Sequence, residues 1–142
     1  MKNIAAIALF IAATFIAAGP ATAQDHLVRA TVPFNFTVGD QTLPSGTYTI
    51  TSEINSPYLL ALHNSDKKVF FYSLGEPDQS NPRHDNILVF HRYGNQYFLS
   101  DIRSNGTGLN LHFAPTNAEK RAKAQVDDAG LFVNDPVLIA LR

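Results

Sequence analysis

From Val28 to Val38 the chain alternates two sets of side chains. Val28, Ala30, Val32, Phe34, Phe36 and Val38 are apolar, and Arg29, Thr31, Pro33, Asn35 and Thr37 stand between them. Side chains two apart share one face of a strand, so this rhythm predicts a strand with one buried side. Pro33 has no N–H to donate, which places it at a sheet edge, at a bulge, or where a strand bends from one sheet to another. Gly39-Asp40 ends the strand, and Leu43-Pro44-Ser45-Gly46 reads as a turn. Further strands are predicted over residues 47–54, 58–62, 68–74, 86–93 and 96–103, with a short one through Leu109, Leu111 and Phe113. Asn64-Ser65-Asp66 and Gly94-Asn95 make hairpin connections, while 75–86 has two prolines and no periodicity and reads as a surface loop.

The period changes after Thr116. Thr116 with Glu119 three residues on fits a capping box. Ala118, Ala122 and Val126 then form a narrow stripe on a helix over 117–126. Lys120, Arg121 and Lys123 suit the helix dipole, Asp127-Asp128 oppose it, and Gly130 ends the helix. Residues 131–133 are expected to pair with a last strand over 137–141. Short connections favour a meander, so the expected fold is all-β. It is a small antiparallel barrel or sandwich of about seven to nine strands, with one short helix before the C-terminal strand.

Residues 58–62, 69–72 and 87–90 are apolar at odd and even positions alike. A strand with one wet face should alternate, so these three are expected to lose water on both faces. The cover is the helix, the C-terminal segment, a second subunit or a bound ligand. The candidate interaction or pocket surface is therefore Val69, Phe71, Ile87, Val89, Tyr93 and Tyr97.

The N-terminus has a different pattern. Met1-Lys2-Asn3 precedes an apolar run from Ile4 to Ala18, then Gly19-Pro20 and the small-x-small Ala21-Thr22-Ala23. That is the form of a secretory signal peptide over 1–23, leaving a single β-domain over 24–142 in the periplasm or outside the cell. The run falls short of the roughly 20 residues a spanning helix needs, and no later stretch is longer, so no transmembrane helix is expected in the mature chain. The chain has no cysteine, which excludes disulfides, thiolate metal sites and a lipid-anchored cysteine. The domain must hold itself by core burial. The mature chain keeps 10 of the 11 basic and all 12 acidic residues, a net charge of −2. No like-charged block suggests a nucleic-acid partner.

No catalytic motif stands out: the chain has no G-x-S-x-G, no H-E-x-x-H and no phosphate loop. His26, His63, His84, His91 and His112 include no pair two apart on a strand, so no metal or other cofactor is expected; His91 and His112 could meet across the sheet. His84 sits with Glu76, Asp78 and Asp85 in the polar loop. Asp101 lies inside an apolar strand and should be ion-paired, with Arg92 or Arg103 as partner. An enzyme would need a cleft that gathers His84, His91 or His112 with Asp101 or Glu53. Tyr48, Tyr58, Tyr72, Tyr93 and Tyr97 read as packing residues.

Val32-Pro33-Phe34-Asn35-Phe36-Thr37-Val38-Gly39, followed by Leu43-Pro44-Ser45-Gly46-Thr47-Tyr48, resembles the opening of a group of small exported bacterial β-proteins of unknown function. These share VPFxFxVG…LPxGxY just after a signal peptide. The resemblance implies an exported β-domain with no assigned activity and no functional residues. The expected function is non-enzymatic: binding, or an envelope-associated structural role, with a protein partner, a homodimer or a small apolar ligand. A lipocalin-like carrier is the alternative, an enzyme comes third, and an outer-membrane barrel is weaker because the strands are short.

Overall fold

The computed structural model describes residues 27–53, 55–78, 85–130 and 135–142. The leader, His26, His84 and the expected strand at 131–133 lie outside the described residues, as does the side chain of Glu53. The described residues are all-β apart from one short helix, and two curled sheets close on one core.

The alternating N-terminal stretch forms two strands, β1 (Leu27–Val32) and β2 (Phe36–Val38), which belong to different sheets. Of the three roles open to Pro33, the structure uses the bend between sheets. β1 runs in the first sheet with β4 (Gly46–Glu53), β5 (Ser56–Asn64) and β6 (Val69–Leu74), in the order β1-β4-β5-β6. The second sheet runs β11-β8-β9-β10-β7, from β7 (Glu76–Pro77), β8 (Asn86–Tyr93), β9 (Gln96–Ser104), β10 (Leu109–His112) and β11 (Val137–Ala140). β2 joins it through a parallel contact of Thr37 with Phe98 on β9, and β3 (Gln41–Leu43) pairs antiparallel with β2 alone. The eleven described strands exceed the expected number because the bend divides one strand, and because β3 and β7 are too short to show a period. β7 falls in the segment expected to be loop, where Leu111 and His112 pair with Pro77 and Glu76.

The seam between the sheets is closed by the C-terminus. Arg29 and Arg142 exchange two backbone hydrogen bonds of 2.9 and 2.8 Å, and Leu141 N donates to Asn86 O. Inward-facing residues fill the centre: Val28, Ala30 and Val32 from β1, Phe36 and Val38 from β2, and Tyr48 and Ile50 from β4. Leu60 and Leu62 from β5 join Leu88 and Phe90 from β8 and Leu99 and Ile102 from β9. Phe36 meets Tyr48 and Phe90 edge-to-face at 5.2 and 5.3 Å, and Phe34 meets Phe90 at 5.2 Å. These geometries suit the ring quadrupoles.

Helix α1 (Asn117–Asp128) covers the outer face of the second sheet. The Oγ1 of Thr116 accepts from Glu119 N at 3.2 Å, as a capping box requires. The reciprocal half is not made, because the Glu119 carboxylate turns to His91. Ala118, Ala122 and Val126 are the stripe that packs on Tyr93 and Phe98. None of the helices is long and apolar enough to cross a membrane, among the described residues.

Candidate functional site

Strand parity decides which candidate residues reach the surface. On β6, Val69 and Phe71 point inward and pack half-buried against the core. The alternate residues Phe70, Tyr72 and Leu74 point outward and are 58, 49 and 73 % exposed. Their neighbours on the same face are His63, Ala61 and Leu59 of β5, by cross-strand register. Phe70 packs edge-to-face on Tyr72 at 4.9 Å and on His63 at 5.8 Å. The exposed aromatic row is thus the set that the sequence-based candidates skip. A strand apolar at every position gives no sign of which half faces water.

The other candidates lie inside or under cover. Ile87 is half-buried and Val89 is buried, on the outer face of β8. Tyr93 is buried beneath α1 with Phe98. Tyr97 stacks on Phe34 at 3.9 Å, at the rim of the core. The six therefore do not form one surface. The doubly apolar strands divide: β8 has its second face largely covered, whereas the second face of β6 is open.

The backbone of β6 is also free on one side. β5 is its strand partner among the described residues, and β6 ends the first sheet. Gly75 N donates to Tyr58 O at 2.9 Å, which fixes the phase of the ladder. Hydrogen-bonded pairs recur every second residue in an antiparallel ladder, so residues 69, 71 and 73 bond to β5. The N–H and C=O groups of Phe70, Tyr72 and Leu74 consequently point away from it. Backbone valence and aromatic side chains are offered by the same three residues.

A polar cluster lies on the outer face of the second sheet. The Ser100 hydroxyl donates to Asp101 Oδ2 at 2.6 Å, and His112 Nδ1 donates to Asp101 Oδ1 at 3.0 Å. Arg103 NH2 lies 3.8 Å from Asp101 Oδ2, and Arg103 Nε has no hydrogen-bond partner among the described residues. Of the two arginines expected for Asp101, Arg103 approaches, while Arg92 turns to Gly94 O and the Tyr97 ring. Nearby, His91 Nδ1 donates to Glu119 Oε1 at 2.7 Å, and the Tyr93 hydroxyl donates to the same oxygen at 3.4 Å. His91 and His112 thus each meet a carboxylate rather than one another. No group of three potential metal ligands forms among the described residues.

The Glu119 hydrogen bond raises the pKa of His91 above its ordinary 6.5; burial opposes it, and the charges of Glu119 and Asp101 reinforce it against Lys123. Burial raises the Tyr93 hydroxyl, with Glu119 and Asp127 adding to it. A raised histidine pKa means that protonated His91 stabilises the fold fully below its unfolded value, and that this support is lost as pH rises through the folded value. His91 is 38 % exposed. Solvent screening therefore limits the contribution to below about 1 kcal/mol. Urea denaturation from about pH 5.5 to about pH 9 should show stability falling across this window, and Glu119→Gln should flatten that slope. An unchanged slope in the variant would mean that this pair does not carry the dependence.

Two described clefts lie elsewhere. One of about 510 Å³ is lined by Arg29, Thr31, Thr47, Ile139 and Arg142 along the closing seam. A smaller one of about 140 Å³ lies between Tyr58, Pro77 and Leu109. Neither is lined by the His–carboxylate pairs. Comparison with family models, curated proteins and solved structures finds no match to this chain.

Proposed function

We propose that this is an exported, non-enzymatic interaction module that engages its partner by strand addition at β6. The observation that carries this reading is the coincidence of a free strand edge with an exposed aromatic row, Phe70, Tyr72 and Leu74. Natural sheets usually protect such an edge with charge, proline or a bulge. The stretch Val-Phe-Phe-Tyr-Ser-Leu carries no charge and no proline. In strand addition the main chain supplies affinity and alternate side chains supply specificity. The leader-like pattern of residues 1–23 and the resemblance of the VPFNFTVG and LPSGTY stretches support export.

The carrier alternative has less support, because Phe34, Phe36 and Phe90 occupy the space between the sheets, while Phe98 lies under α1. The enzyme alternative does gain one of its required contacts, His112 with Asp101. Ser100 donates to that carboxylate rather than standing beyond His112 as a nucleophile would, and Arg103 balances its charge. These contacts are read as structural.

Hydrogen exchange on dilute purified protein tests the reading. The amides of Phe70, Tyr72 and Leu74 should exchange at least about tenfold faster than those of Val69, Phe71 and Ser73. Equal protection of the two sets would mean that the chain covers its own edge, and the reading would fall. The intact mass of the same preparation, taken from the exported fraction, should correspond to a chain starting at Gln24; an uncleaved leader would count against export.

A further inference from the structure

Resting on that reading, we propose that the partner is a second copy of this chain, its β6 paired antiparallel about a two-fold axis at Tyr72. Placing Tyr72 opposite the second copy's Tyr72 sets Phe70 opposite Leu74 on both sides of the axis. All three residues with outward-pointing N–H and C=O groups are then used, and they meet in hydrogen-bonding phase. The exposed rows of the two copies become one continuous apolar band on the outer face, and cross-strand aromatic and aliphatic pairs of this kind are favourable. Such a contact is isologous, the ordinary geometry of a closed dimer.

The charges flanking the strand select this arrangement. Lys67 and Lys68 are exposed at its start, and Glu76 is exposed just beyond its end. Lys67 Nζ lies 3.5 Å from the Ser45 hydroxyl, so Lys68 is the freer of the two. In the antiparallel register centred on Tyr72, the turn that carries Lys68, with a φ of +52°, comes to the point where the second copy's Glu76 opens β7, and the two-fold axis repeats this at the other end. The strand between them holds no charge to repel its copy. Centring the axis on Phe71 instead would set Leu74 against Lys68 and leave Glu76 without its cation. A parallel arrangement would bring lysines to lysines. Electrostatic complementarity of this type fixes register and excludes wrong pairings more than it adds affinity.

Sedimentation equilibrium of the purified protein from low to high micromolar concentration, with Lys68→Glu, Glu76→Lys and the double reversal, tests the proposal. Wild type should pass from one chain mass to two, and its Phe70, Tyr72 and Leu74 amides should become protected in step. Each single reversal replaces two attractive pairs with repulsive ones and should weaken association at least about tenfold, and the double reversal should restore it. The two single variants change different exposed side chains, so circular dichroism of each guards against a folding defect in the other. A dimer insensitive to both reversals would lie on another face and overturn the proposal. Protein that stays at one chain mass while those amides remain fast would overturn the second copy and leave β6 as a strand open to other partners. One chain mass with slow amides at every concentration would overturn both readings.

Discussion

Phe90→Ala should cost about 3–5 kcal/mol of folding stability, a large fraction of the roughly 5–15 kcal/mol that holds a domain together. Phe90 is fully buried and lies where the two sheets meet. Its ring receives Phe34 and Phe36 edge-to-face, and its backbone pairs with Leu99 and Val137 on either side. Phe36 in turn leans on Tyr48, whose hydroxyl donates to Pro44 O at 2.5 Å. Truncating Phe90 therefore opens a cavity that several elements border, and rigid strands cannot collapse into it. The control is Phe70→Ala on the outer face of β6. Phe70 is 58 % exposed, so its loss should stay near the surface norm of about 0.5 kcal/mol. Urea denaturation of the two variants measures both; equal losses would mean that the inward and outward sets are misassigned.

That contrast marks what the sequence could and could not reveal. The alternating stretch Val28–Val38 was legible because one set of positions is apolar and the other polar. Its apolar members Val28, Ala30, Val32, Phe36 and Val38 are all buried. The VPFxFxVG…LPxGxY pattern turns out to describe a corner of the core. Val32, Phe36, Val38, Leu43 and Tyr48 fill it, and Gly39 takes a φ of +58° at the β2–β3 turn. Gly46 sits against the Asn64 side chain, where a Cβ would collide with the amide. That amide's Oδ1 in turn accepts from Asp66 N and Lys67 N to shape the β5–β6 hairpin. A pattern that encodes packing carries no information about a partner. β6, by contrast, is apolar throughout, so nothing in its composition separates Val69 and Phe71 from Phe70 and Tyr72. Only the pairing with β5 sets that parity. The helix stripe Ala118, Ala122 and Val126 was visible from spacing, but the engagement of Glu119 with His91 depends on where α1 lands on the sheet. The partners of Asp101 were equally hidden. A register shift between Val89 and Phe90 and the pairing of His112 with Asp101 determine them, and a register is a property of two strands.

Asp101→Ala should be the other severe substitution, at about 3–5 kcal/mol, because it breaks a buried charge cluster from one side. Asp101 is buried, accepts from Ser100 and His112, and faces Arg103. The Arg103 side chain is only 19 % exposed and its Nε has no hydrogen-bond partner among the described residues. Removing the carboxylate strands that guanidinium in a poorly solvated place, and the desolvation penalty then stands without compensation. Asp101→Asn keeps an acceptor for Ser100 and should cost less, about 1–2 kcal/mol. The decisive comparison adds Arg103→Met to Asp101→Ala. If the loss arises from a stranded cation, removing the cation should recover at least about 1 kcal/mol, the signature of coupled sites in a double-mutant cycle. Urea denaturation at neutral pH supplies all four values. Additive losses in the double variant would assign the effect to the Ser100 and His112 hydrogen bonds instead.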